Sequence, residues 1–273
     1  QNLNMNNNNY FLKRQSNNDE KEYYVQSKSG LIKDYSFKED QNYQYKNYME
    51  DKGKAIENLK NNQNNSLFCI FDGHGGGQVS QYLQNYFGEY FKQKMPPTDL
   101  SSGIKKIFIK FDEKIKNAVN SQTCGSTGTI VYIIKHISGS RILYCANIGD
   151  SRCIKITKNG YKRLSFDDKA DEPSEKERIR KAGGVVVNKR LGGRLMISRS
   201  FGDWNLKNLG LIAEPHLTKN ELTNDDLFII IACDGVWDVL GDNEIYNLSK
   251  SYKNTKDLCQ MIINQALNKG AHD

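Results

Sequence analysis

Three aspartates in this chain each close an apolar, β-rich run. Asp72 follows SLFCIF (66–71), Asp150 lies in ANIGDSR (146–152), and Asp234 follows LFIIIAC (227–233). Asp72 and Asp234 are each followed by glycine, Gly73 and Gly235. Carboxylates at the mouths of strands are hard oxygen donors on a rigid base, which is how a protein holds Mg²⁺ or Mn²⁺. A single Asp-Gly pair usually marks only a turn. Three acidic strand ends, with Met49-Glu50-Asp51 upstream, shift the balance towards a metal cleft.

The elements that must position these groups are visible in the apolar periodicity. SLFCIF reads as a buried strand. Val79, Tyr82, Leu83, Tyr86, Phe87, Tyr90 and Phe91 recur at i, i+3, i+4 and i+7, one face of a long amphipathic helix that stops before Pro96-Pro97. That aromatic stripe reads as core. Ile104, Ile107, Phe108, Phe111 and Ile115 predict a second helix by the same spacing. TGTIVYII (127–134) and RILYCAN (141–147) predict one hairpin, and RCIKI (152–156) with the run to Leu164 predicts another, turning at Asn159-Gly160. Ser174-Glu175-Lys176-Glu177 has the form of a capping box opening a short exposed helix that stops at Gly183-Gly184. LFIIIAC is expected to be a buried strand, and Thr255 to cap a last helix ending at Gly270. Hairpins flanked by long helices point to an antiparallel α+β layering.

Composition excludes several classes. The 273 residues carry 39 Lys and Arg against 32 Asp and Glu, a formal charge of +7. The longest apolar run, Leu227 to Cys233, falls far short of the roughly 20 residues a membrane-spanning helix needs. No apolar stretch of signal-peptide length opens the chain, and the six cysteines show neither C-x-x-C pairs nor metal-ligand spacing, so an intracellular setting, cytoplasm or nucleus, is expected. The first twenty residues hold eight Asn, so residues 1–22 read as a tail available to a protein partner. A second Asn-rich patch, NLKNNQNN (58–65), reads as a loop. No repeat is visible. The basic residues between Lys189 and Arg199 are too few, and too little interleaved with aromatics, for nucleic-acid binding.

Six motifs in order resemble one known family. FDGHGGGQVS (71–80), CGSTGT (124–129), ANIGDSR (146–152), EKERIRKAGG (175–184), GGRLMISRSFGD (192–203) and IIIACDGVWD (229–238) are similar to those of the metal-dependent protein phosphatases, protein phosphatase 2C. The resemblance runs from about residue 43 to 273, and a catalytic domain is assigned to residues 23–273. It implies two antiparallel sheets packed as a sandwich with helices on both outer faces. It also implies two Mg²⁺ or Mn²⁺ ions with a weaker third, and hydrolysis of phosphoserine and phosphothreonine in phosphoproteins by a metal-bridging hydroxide. A monomeric catalytic domain is expected. By matching position, Asp72 bridges the two ions and Gly73 adds its carbonyl oxygen. Asp234 and Asp273 complete the first ion's protein ligands, and Glu50 and Asp51 act through bound water. Asp150 and Asp238, with Asp234, match the third site, and His74 matches the general acid.

The departures from the pattern are local. The family's phosphate-binding Arg is Lys46 here, and the Gly two residues before it is Gln44. Lys offers a point charge where Arg offers a planar fork. Before the third helix the family often has His-Lys-Pro, and this chain has Asp168-Lys169-Ala170, next to a flap tied to substrate choice. The family's last metal Asp is followed by Asn and a core strand, so the domain is expected to continue past Asp273. These departures leave a second reading open, a phosphatase-like scaffold that docks through its tail. An α/β-hydrolase, which His74-Gly75-Gly76-Gly77 mimics, lacks its G-x-S-x-G elbow, and CGSTG lacks the Lys of a phosphate loop.

Overall fold

The computed structural model describes residues 22–59 and 64–272. The Asn-rich stretch up to residue 21, residues 60–63 of the second Asn-rich patch, and Asp273 lie outside the described residues. At the rim of that patch Asn58 N donates to Asn65 O across 3.0 Å, and Asn65 opens a strand.

Among the described residues the larger sheet has five antiparallel strands, in the order His216–Leu222, Arg141–Ile148, Gly128–Lys135, Asn65–Phe71, Lys52–Glu57. A second sheet orders Gly160–Arg163, Arg152–Thr157 and Asp226–Ala232. Side chains alternate along each strand, so one strand serves two layers. Ile130 and Tyr132 face helices α1 (Gln78–Lys94) and α2 (Leu100–Ile115), while Val131 and Ile133 face the second sheet. From the other side Cys153, Ile229 and Ile231 meet that inner layer. Ile154, Ile156, Phe228 and Ile230 face outward onto three C-terminal helices. Four layers result, helices on sheet on sheet on helices, as the resemblance implies.

Both long helices form where the periodicity places them. In α1, Val79, Leu83, Phe87 and Phe91 are fully buried, while Tyr86 at the edge of the stripe is half exposed. The helix ends at Met95, because Pro96 disfavours the helical conformation of the residue before it. Asp99 caps α2, accepting from Ser102 N. Phe87 lies at the centre of an aromatic cluster with Phe71, Phe91, Phe108, Phe111 and Phe201. Truncating such a side chain to Ala costs about 3–5 kcal/mol, since the cavity adds to the lost transfer energy.

Four expectations are corrected. The capping box does not form: α3 (Pro173–Lys181) starts with Glu172 at its N-cap and Pro173 in the first turn, and Ser174 sits inside the helix. Proline's fixed φ suits a first turn and sets the start two residues early. Nor is α3 wholly exposed, since Glu175 and Ile179 are buried. The strand Asp226–Ala232 is only partly buried, with Leu227 half exposed, and it forms one edge of its sheet. The C-terminal helices are α4 (Asp234–Trp237), α5 (Asp242–Ser249) and α6 (Thr255–Asn268). The cap of α6 is Asn254, not Thr255, whose hydroxyl donates instead to Asp34 Oδ1 at 2.6 Å.

The sequence reading placed no element over residues 22–38, nor over the strands Lys52–Glu57 and His216–Leu222 or the helix α5. Glu22–Gln26 pairs with Asp34–Lys38 in a hairpin that packs on α6.

Candidate active site

A third, very small sheet builds the centre of the site. Gly125–Ser126 is its middle strand, with Gly73–His74 on one side and Phe201–Gly202 on the other. His74 and Gly202 both sit opposite Gly125. The motifs around residues 71, 124 and 201 are thus three strands of one device. Thr127 locks it to Asp72: its N donates to Asp72 O at 2.8 Å, and Asp72 N donates to its Oγ1 at 3.1 Å. Thr127 Oγ1 also shares a 2.7 Å hydrogen bond with Ser151 Oγ, which ties in the turn that bears Asp150.

The three strand-end aspartates converge. Asp72, Asp150 and Asp234 present carboxylate oxygens that all lie within 4.8 Å of one another, with Asp72 and Asp150 buried. Asp234 opens α4, and Asp238 N donates back to Asp234 O at 2.8 Å, leaving the Asp238 side chain exposed at the rim. Asp51 reaches the same place, because it hydrogen-bonds Cys233. Burial first, then the charges of Asp51, Asp72 and Asp234, push that thiol well above its ordinary value. Carboxylates this close repel one another unless a cation or protons neutralise them. An all-oxygen set of this kind suits Mg²⁺ or Mn²⁺ and not a soft metal.

Gly73 has no room for a side chain. A Cβ there would lie 2.7 Å from both Glu50 O and Ser80 Oγ. Glu50 has a further contact: its Oε1 accepts from Gly76 N at 2.6 Å, bracing the glycine loop, whose φ of +124° at Gly76 suits only glycine. Lys46, half-buried, lines a cleft with Tyr48, Met49, Glu50 and Asp51, so it borders the acidic groups. Asn42 Nδ2 donates to Ala271 O at 2.6 Å, and the His272 ring lies 4.3 Å from that of Tyr45. The segment that leads to Asp273 therefore packs on the loop carrying Lys46.

His74 is held by a residue to which the motif reading gave no role. Its Nε2 lies 2.7 Å from Asp203 Oδ2, and Ser200 Oγ donates to the same oxygen. Burial pushes the imidazole pKa down, but the hydrogen bond and charge of Asp203 outweigh it, and the net shift is upward. Asp203 lies in the left-handed region, φ +50°. Asp112 on α2 fixes that turn, accepting from Gly202 N at 2.7 Å and pairing with Lys207 at 2.8 Å. The only local signal was the Phe-Gly-Asp ending of GGRLMISRSFGD; the pairing partner lies 129 residues away.

A second acidic group, Asp168, Glu175 and His216, has the spacing of a metal site but already holds its cations. Arg199 lies 2.6 Å from Glu175 and 3.4 Å from Asp168, and Arg178 lies 2.7 Å from Glu175. It ties α3 to the layer below.

Two stacked antiparallel sheets with a carboxylate cleft at their strand ends, and a histidine beside it, define a metal-dependent hydrolase. The protein phosphatase 2C family model matches residues 35–273. Protein phosphatase 2C homolog 1 of Schizosaccharomyces pombe is 30% identical over 240 residues, covering 86% of this chain and 69% of its own length. Protein phosphatase 2C 1 of Paramecium tetraurelia is 33% identical over 234 residues, covering 77% and 75%. The fold matches the crystal structure of a phosphatase from a pathogenic strain of Toxoplasma gondii, with TM-score 0.74, 23% identity, and 84% and 87% of the two chains covered. The chain belongs to the protein phosphatase 2C family, the metal-dependent protein serine/threonine phosphatases. Among the described residues no helix is long and apolar enough to cross a membrane.

Proposed function

We propose that residues 23–273 form the catalytic domain and that Asp72, Asp234 and Asp273, with the Gly73 carbonyl, hold two Mg²⁺ or Mn²⁺ ions. Glu50 and Asp51 complete their surroundings through water, and Asp150 and Asp238 with Asp234 form a weaker third position. Bound there, the ions supply a nucleophile from water near neutral pH and offset charge on the phosphoryl oxygens. The chain's own groups do the rest. Lys46 places a positive charge at the cleft for the substrate phosphate, as a point charge and not a fork. His74, oriented by Asp203, gives its proton to the departing seryl or threonyl oxygen, a contribution of typically ~10²–10⁴-fold. Asp273 is assigned by its place in the motif order.

The observation that carries this reading is the convergence of Asp72, Asp150 and Asp234 within 4.8 Å beside the His74–Asp203 pair. Phosphoproteins are the substrates, an intracellular monomer the expected form, and the Asn-rich tail a docking segment for a protein partner. The test is phosphate release from a phosphothreonyl peptide with added Mn²⁺. The wild type should turn over and lose activity to chelator, and Asp72→Asn and Asp234→Asn should be inactive. Equal inactivity of all three proteins would favour the scaffold reading.

A further inference from the structure

The metal reading leaves one cation of the chain itself unaccounted for. Lys169 seats its ammonium directly on Asp150 Oδ2. The Asp150 side chain is 7% exposed and that of Lys169 32%, so a partly exposed ammonium reaches a buried carboxylate of the cluster. The charges of Asp238 and Asp234 also act on this ammonium. Its backbone is fixed from below. Lys169 bridges Ile197 in antiparallel fashion, Ala170 N donates to Met196 O at 2.6 Å, and Ser198 N donates to Asp168 O at 2.8 Å. Ser198 Oγ in turn donates to Glu175 of α3 at 2.6 Å.

We propose that Lys169 is a built-in counter-cation that competes with a divalent ion for the Asp150–Asp234–Asp238 position. The inference rests on the reading of those carboxylates as metal ligands. With Lys169 in place, the cluster is partly neutralised and the close carboxylates are tolerated. A divalent ion on Asp150 and an ammonium in contact with the same carboxylate repel one another, so filling the position favours an outward swing of the Lys169 side chain. Its flexible four-carbon stem allows this while the bridge to Ile197 stays closed. Lys169 is thus a positioning residue that sets how much free metal the weak position needs.

Mn²⁺ binding to the whole chain, followed by calorimetry and by the spin-resonance signal of free Mn²⁺, tests this without reference to turnover. Lys169→Met should bind its weakest class of Mn²⁺ about tenfold more tightly than the wild type, leaving the tight class unchanged. Its chelator-treated form should melt below the wild type, with Mn²⁺ closing the gap. Lys169→Arg keeps the charge and should bind as the wild type does, and Asp150→Asn should lose the weak class. Unchanged or weaker binding of that class in Lys169→Met, with the wild type still binding Mn²⁺, would overturn the competition alone. No Mn²⁺ bound by the wild type would overturn the metal reading beneath it as well.

Discussion

His74 and Asp203 meet across Gly125: the imidazole Nε2 and the carboxylate Oδ2 lie 2.7 Å apart on either side of a strand only two residues long. The pair orients the ring and favours its protonated form, which is the form a proton donor needs. The importance of a proton donor depends on the leaving group, since a strongly basic alkoxide needs the proton and a stable phenolate does not. Asp203→Asn should therefore lower kcat on a phosphothreonyl peptide by about 10–10²-fold, as a misaligned or deprotonated donor would. Hydrolysis of p-nitrophenyl phosphate should change little. Equal losses on both substrates would show that Asp203 does not act through proton donation.

Gly125 allows this approach. A Cβ at that position would fall 2.5 Å from His74 Nε2 and closer still to Asp203 Oδ2. Gly125→Ala should keep the fold and Mn²⁺ binding but cost about 10² in peptide turnover, the scale of a 1 Å misplacement of a reacting group. Steady-state kinetics beside circular dichroism and Mn²⁺ titration check this, and full activity would show that the pair is dispensable.

Much of this site was legible from local pattern. Asp72, Asp150 and Asp234 end apolar runs, and the end of a strand is a place that a short stretch of sequence can specify. Their convergence adds only that the three strand ends share one edge of the sandwich. Asp203 was legible as part of a motif and not in its role, because that role depends on a register shared by residues 74, 125 and 202. The start of α3 was misjudged for a different reason. Ser174 and Glu177 have capping-box spacing, but Pro173 fixes the start of the helix and Glu175 is captured by Arg199. The small core beneath α3, with Ala170, Leu191, Leu206 and Leu211, lies largely outside long helices and strands and so has no period to read. The 22–38 hairpin was missed because five-residue strands carry little alternation.

Lys46 offers a test of the cleft's chemistry. A guanidinium there could bind the phosphoryl group with two parallel hydrogen bonds where an ammonium offers a point charge. Lys46→Arg should raise kcat/KM on a phosphopeptide several-fold. No gain, or a loss, would remove Lys46 from contact with phosphate.

Glu175 offers a test of the layer beneath the site. Burial raises its pKa, but hydrogen bonds from Arg199, Arg178 and Ser198 outweigh this and hold it at about 2, against an ordinary 4.5. The folded value is depressed, so its stabilisation is complete above pH 4.5 and drains away as pH falls towards 2. Asp168 works in the opposite sense. Burial, partly offset by His216 and Arg199, lifts it to about 6 from 3.8, so its contribution is complete below 3.8 and lost as pH rises through 6. Glu175→Gln leaves two guanidiniums short of a charge and should cost about 3 kcal/mol at pH 7, a fall in Tm of roughly 6–12 °C. The gap from the wild type should narrow between pH 4.5 and 2. Melting curves across that range decide it, and a gap independent of pH would refute the ion-pair account.

The most direct test of the central claim is anomalous scattering from crystals soaked in Mn²⁺. The account predicts two strong peaks roughly 3.5–4 Å apart, flanking the Asp72 carboxylate on the side of Asp234. No peak there, or density confined to Asp168, Glu175 and His216, would contradict it.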